Sequence, residues 1–409
     1  MTRTARDAPA GVGFWIVAAA FLLTMSFMTL PTPLYGLYEE RNGFGPFTVT
    51  VVFAAYGVGV LLGLLLAGHV ADHVGRRRVL VWAVALEVAG AIGFALLADT
   101  GSLIVLRLLT GLGVGGFSAT ATAYLVELHA RWRPDADPVL GRTVANVANL
   151  GGLAVGPLVA GLLSELGEPL RTPYAVYVAV LVTVAVALAR VPETVPEDVR
   201  ATPWRYRPQR VSVDPGVRSA FVGAASAALA GFAVLGFITA LTGSFLATEV
   251  GVHDRVAVGA VVTGVLTGGI LSQVALARTS RHTQLVAGAA LVAVGVLVVA
   301  LGGLTASLAV FVVGGALAAG GNGLVFATSV ATVSALAAPE RRSATLAALF
   351  LAAYVGITVP VVAIGALLLV ADVVPVMVGF SLVVAVVVPA GIAVLVRQTS
   401  AAEVTTPAP

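Results

Sequence analysis

The sequence predicts an all-α, polytopic membrane protein: twelve transmembrane helices in two pseudo-repeated six-helix bundles. Three observations predict it. Hydrophobic residues make up 59% of the 409 residues and charged residues only 11%, and the mean hydropathy is +1.01, so lipid must solvate most of the surface. Apolar runs of about 20 residues, enough to cross a hydrocarbon core of about 30 Å, recur along the chain. Arginines collect between alternate runs, the asymmetry that sets orientation in a bilayer. The runs are continuously apolar rather than alternating, which favours helices over a β-barrel.

The runs begin near Gly11, Phe47, Val79, Ser102, Arg142, Pro173, Arg218, Val256, Gln284, Thr305, Ala344 and Pro375. Arg3 and Arg6 before the first run also suit a signal peptide, but the length of the run and the outer loop after it favour an uncleaved first span. The second run ends in a hinge, Gly68 to Leu80. There Gly75 can take the φ > 0 geometry of a helix stop, and Arg76, Arg77 and Arg78 hold the turn in the cytoplasm. The third run carries Glu87 and the fourth Arg107; the fifth carries Gly152, Gly156, Pro157 and Gly161. After the sixth, residues 191–217 hold Pro192, Pro196, Pro203, Pro208 and Pro215 and read as a linker between domains 1–190 and 218–409. An offset of 205 residues then places Gly59 and Gly63 on Gly264 and Gly268, and Arg76 on Arg281. The same offset places Asp72 on Ala277 and Arg107 on Val312, so the polar groups concentrate in the first half.

All 23 basic residues are arginine. Arg41, Arg171 and Arg255 fall on the outer side and Arg107 inside a run; the rest fall on one side, which puts both termini in the cytoplasm. The pI near 9.5 therefore reflects topology and implies no nucleic-acid partner. Richness in Ala, Val and Gly with Arg in place of Lys points to a GC-rich bacterial genome, so the membrane expected is a bacterial plasma membrane. The absence of cysteine excludes disulfides and thiolate metal sites, and no pair of the five histidines has metal-ligand spacing. No Walker loop, calcium loop or Gly-x-Ser-x-Gly elbow is present, so neither a cofactor nor an enzymatic reaction is expected.

Position by position, Gly68, Asp72, Gly75, Arg76 and Arg77 resemble the signature loop between helices 2 and 3 of the major facilitator superfamily. A generic positive-inside turn would explain the arginines but not Asp72 at this spacing. The resemblance implies a secondary transporter in which Asp72 and Arg76 form a conformational latch. Glu127, ending helix 4, and Arg142, starting helix 5, look like the acid–base clasp of many facilitators, with a solvated pair as the alternative. Arg107, Gly111 and Gly115 resemble the family's helix-4 pattern. The fifth run resembles the glycine-proline motif of drug/proton antiporters, although Ala160 and Thr143 replace two of its glycines. That match favours export; ordinary tight packing is the alternative reading.

Glu87 is the only acid well inside a span. Its face holds Ala83, Gly90 and Ala91, whereas Trp82, Leu86, Ile92 and Leu96 lie opposite, so it should point inward, either to bind a proton or to make a structural hydrogen bond. Arg107 shares its face with Gly111, Gly115, Ser118 and Thr122 and should face protein or a wet cavity, unless it snorkels to the headgroups. The family's cavity is lined by helices 1, 4, 7 and 10. Carried onto this chain, that implies Phe21, Thr24, Met25 and Met28; Arg107, Ser118 and Thr122; Phe232 and Thr239; and Asn322, Phe326 and Ser329. Such a lining suits a hydrophobic or amphipathic compound, a drug, antibiotic or metabolite, better than a sugar. The expectation is a monomer that exports it against protons. Helix 1 has no acid between Gly11 and Glu39, so Glu87 has to carry the proton; otherwise uptake or facilitated diffusion follows. From a different class, a non-transporting membrane protein remains the alternative.

Overall fold

The computed structural model describes residues 9–67, 70–137, 139–202, 205–206, 211–276, 278–338 and 341–405. Among them there are twelve long helices and no strand. They are α1 (Ala10–Thr29), α2 (Pro46–Ala67), α3 (Arg76–Leu96), α4 (Thr100–Trp132), α5 (Val139–Ser164), α6 (Thr172–Leu188), α7 (Arg218–Phe245), α8 (Arg255–Leu276), α9 (Arg281–Leu304), α10 (Leu308–Leu336), α11 (Arg342–Leu367) and α12 (Val373–Thr405). All but α6, at 17 residues, are long and apolar enough to span a bilayer by themselves. The protein is thus an all-α, multi-pass membrane protein.

Local chemistry sets the helix ends. Asp99 caps α4 by accepting from the Ser102 N–H at 2.9 Å, and Ser280 caps α9 by accepting from the Thr283 N–H at 3.1 Å. Gly75, at φ 111°, starts α3 three residues earlier than the apolar run does, because the arginines take helical geometry as soon as the turn is complete. The outer loop expected after α1 is largely helical instead. A 3-10 turn, Thr32–Leu34, leads into a short helix, Tyr35–Asn42, stopped by Gly43 at φ 66°.

The chain divides into two compact units. One comprises Met1–Gly43 with Ala55–Gln209, the other Phe44–Ala54 with Arg210–Pro409, so the first part of α2 groups with the second unit. Lipid offers no hydrophobic drive for helix association, and close packing of small residues supplies it. In the first unit Gly59 and Gly63 of α2 meet Gly111 and Gly115 of α4 with no room for a side chain: a methyl on any of the four would overlap a carbonyl oxygen of the facing helix. In the second unit Gly268 of α8 meets the Ala316 carbonyl of α10 in the same way, the structural trace of the repeat. Bulky residues face outward, with Trp82 73% and Leu96 74% exposed.

Candidate functional site

Arg107 lies in the first unit, 2% exposed, where α1, α2 and α4 meet. Its Nη1 donates to the Met28 carbonyl at 2.9 Å and its Nη2 to the Tyr35 hydroxyl at 2.6 Å. The guanidinium also sits 5.0 Å from the Tyr56 ring centroid and 5.8 Å from that of Tyr35. The ring faces present negative charge to the cation where no carboxylate does. Snorkelling is therefore not what this arginine does. Its Nε has no hydrogen-bond partner among the described residues.

Glu87 points inward from α3 and is 0% exposed, with Ala83, Gly90 and Ala91 buried beside it. Gly113 of α4 makes the space: a methyl there would come within 2.7 Å of Glu87 Oε1 and 3.0 Å of the Ala83 carbonyl. One turn of α3 further on, Gly90 receives the Thr110 methyl in the same fashion. Neither carboxylate oxygen has a formed hydrogen bond among the described residues. Six residues of α4, about 9 Å of helix rise, separate Gly113 from Arg107.

Ten residues along α4 from Arg107, Phe21 of α1 packs on Phe117 with ring centroids 5.8 Å apart. Ser118 Oγ donates to the Val114 carbonyl at 2.9 Å and lies 3.9 Å from Met25 Sδ. Thr24 is fully buried with its hydroxyl unpartnered, whereas Thr122 is exposed and donates to the Ser118 carbonyl at 2.9 Å. In the second unit Thr239 donates to the Leu235 carbonyl at 2.7 Å, Phe232 and Phe326 meet edge to face, and buried Asn322 and Ser329 each keep an unpartnered oxygen.

The glycines of α5 serve contact with α1. Methyls on Gly152 or Gly156 would overlap the Leu22 and Ser26 carbonyls. Pro157 has no N–H for the carbonyl four residues back, Leu153, and Thr29 of α1 donates to that carbonyl instead, at 3.0 Å. Gly161 is buried, and its carbonyl accepts from Ser164 Oγ at 2.6 Å.

At the arginine-rich end, Arg76 joins two acids: Asp72 Oδ1 at 2.6 Å and Glu127 Oε1 at 3.0 Å. Glu127 therefore pairs with Arg76 in place of the expected Arg142, which is exposed at the start of α5. Gly68 lies outside the described residues. Glu193, hidden in the proline-rich linker, was not legible as a site residue. Its carboxylate caps α3, accepting from the backbone N–H of Arg76 at 2.9 Å and of Arg77 at 3.1 Å. Tyr124, Arg77 and Arg131 hold the segment around it by donating to the carbonyls of Pro192, Val191 and Glu193 at 2.8, 3.1 and 2.8 Å. Gly75 is required twice over: its φ is positive, and a methyl would strike Glu193 Oε2. The only sequence signal was Pro-Glu-Thr immediately after a span. No cluster of three or more His, Asp or Glu that could hold a metal occurs among the described residues.

The family model described as Major Facilitator Superfamily matches residues 16–360. The chain belongs to this superfamily. Local similarity links the facilitator to an arabinose-proton symporter of Bacillus subtilis, 32% identical over 92 residues, 22% of this chain and 20% of that protein. It is also similar to the 4-hydroxybenzoate transporter PcaK of Pseudomonas putida, 38% identical over 22% of this chain and 18% of that protein. The methylenomycin A resistance protein of Streptomyces coelicolor is 28% identical over 39% of this chain and 33% of that protein. These matches span a third or less of each relative. Among solved structures, the human organic anion transporter MFSD10 (TETRAN) superposes with a TM-score of 0.69 at 16% identity, covering 95% of the facilitator and all 100% of that chain. A variant of the nucleoside transporter NupG gives a TM-score of 0.70 at 12% identity, covering 93% and 99%. At these identities the likeness concerns the fold.

Proposed function

We propose that this facilitator is a proton-coupled secondary transporter that exports a hydrophobic or amphipathic small organic compound, acting as a monomer in a bacterial plasma membrane with both termini cytoplasmic. Glu87 carries the reading: a fully buried acid with no formed hydrogen bond, on the seam of α3 and α4. A carboxylate in such a place needs more donors or a closer cation than the Val114 N–H and Arg107 of α4 provide, whereas the protonated acid does not. Gaining or losing the proton therefore changes what α3 and α4 must do, which is the requirement for coupling a proton to a conformational cycle. Arg107 of α4 is the buried cation available across the seam from Glu87. Asp72, Arg76, Glu127 and Glu193 form the latch at the cytoplasmic end.

Export is supported by the glycine-proline pattern of α5 and by the likeness to a methylenomycin A resistance protein. The likeness to an arabinose-proton symporter and a 4-hydroxybenzoate transporter favours a second reading, proton-linked uptake. Purified protein in sealed proteoliposomes, with a pH gradient imposed in either sense, separates the two. Export predicts substrate movement opposite to the proton gradient, and uptake predicts movement along it. Substrate movement indifferent to the gradient in both senses would defeat the coupling claim.

A further inference from the structure

The second unit contains an aromatic cluster that helix packing alone does not explain. Phe232 of α7 meets Phe326 of α10 edge to face at 4.8 Å and Tyr354 of α11 at 5.9 Å; Phe326 in turn meets Phe350 of α11 at 5.5 Å. All four rings are partly exposed. On α11 the exposed apolar side is marked by Val359, 60% exposed and nine residues beyond Phe350, about half a turn around the helix. On α10 it is marked by Val313, about 140° from Phe326. Phe326, Phe350 and Tyr354 therefore lie away from the exposed apolar stripes of their own helices. One turn from Phe326, and on its face, Asn322 is 3% exposed with its Oδ1 unpartnered. That oxygen occupies the place of a side chain on Gly231, the residue before Phe232, where a methyl would overlap it. Without a partner among the described residues, this buried amide oxygen is costly to keep.

From this we infer a ring-recognition subsite: Phe232, Phe326, Phe350 and Tyr354 hold a planar aromatic ring of the substrate by edge-to-face contact. The Asn322 amide oxygen accepts from a neutral donor substituent, a hydroxyl, on that ring. The four rings and the amide carry no charge, so a neutral ring substituent matches them. The transported compounds are accordingly hydroxylated aromatics. This rests on the reading of the chain as a carrier of small organic compounds, and the test uses binding without any gradient, so that its failure leaves the transport reading standing.

The probes are 2-naphthol and decahydro-2-naphthol, which share size and hydroxyl but differ in the ring. Binding to purified, detergent-solubilised protein is read from the concentration dependence of Tm by circular dichroism. Wild type should bind 2-naphthol saturably and roughly 2- to 10-fold more tightly than the saturated alcohol. Phe326→Leu should abolish that preference while keeping decahydro-2-naphthol binding. Asn322→Leu should weaken both alcohols by roughly 3- to 10-fold and leave the preference intact. If Phe326→Leu does not fold, Phe350→Leu, at a partly exposed ring, carries the same prediction. No saturable binding of 2-naphthol, equal binding of the two alcohols by wild type, or a ring preference that survives loss of Phe326 or Phe350 overturns the proposal.

Discussion

Glu87 and Arg107 face the same packed interior, yet no hydrogen bond joins them among the described residues. Glu87→Gln keeps the shape and removes the proton. It should insert normally, retain substrate binding and passive exchange, and lose accumulation driven by a pH gradient. Proton release on substrate addition to solubilised protein should be present in wild type and absent in the variant; equal release from both would remove Glu87 from the cycle. Arg107→Lys should lose the fork that reaches Met28 and Tyr35 together, with transport reduced roughly 10-fold or more, and Arg107→Ala should abolish it. Normal uptake or export by Arg107→Ala in the same vesicles would make the arginine purely structural. The inward aim of Glu87 was legible because small residues share its face and Trp82 and Leu96 lie opposite. The partners of Arg107 were not. Tyr35 is 72 positions away, and nothing in the local pattern marks which aromatic ring will meet a cation.

Helix α3 depends on a cap that comes from the linker. Glu193→Ala should cost about 0.5–2 kcal/mol, the range for loss of an N-terminal cap, and Gly75→Ala more than that, because strained backbone and a displaced carboxylate add. Thermal unfolding of both singles and the double variant should show strong non-additivity; simple additivity would mean that the cap and the turn act independently. Asp72→Ala should behave differently. The Asp72 carboxylate is more than half exposed and its ion pair contributes little to stability, so Tm should hardly change while labelling of single cysteines at the helix ends around Arg76 shifts toward the open state. At this scale the apolar runs announced the helices and their starts to within about three residues, whereas the fourth helix runs on past Glu127 to Trp132. Glu193 stayed hidden because capping is decided by where a linker folds back, and a proline-rich linker advertises only that it is not a helix.

At the scale of the whole molecule, each end of the linker is tied to its own unit. Glu193 holds the first end, and Asp214 holds the second by accepting from the Ala338 N–H at 2.9 Å and the Gly216 N–H at 3.1 Å. These bonds from Ala338 and Gly216, in that order, keep the Asp214 carboxyl below its usual range. A depressed folded value means that the contribution is complete above about pH 4, the unfolded value, and is lost as pH falls through the folded one. The Tm difference between wild type and Asp214→Asn should therefore be largest at neutral pH and shrink below about pH 4; a difference that does not vary with pH would contradict the assignment. The repeat offset identified which helices correspond, since Gly268 packs on α10 as Gly63 packs on α4.

Gly59 and Gly63, like Gly111 and Gly115, are spaced four apart, and this spacing fixes a register. A shear of α2 along α4 by one residue would drive a side chain such as Val60 into a carbonyl. Only a step of four residues, about 6 Å, would set glycine against glycine again. The pair can tilt or rotate as a single rod but cannot creep. Any displacement that the seam of α3 and α4 imposes on Arg107 is consequently delivered without slippage to residues 55–67 of α2 and to the turn at Gly75 beyond them.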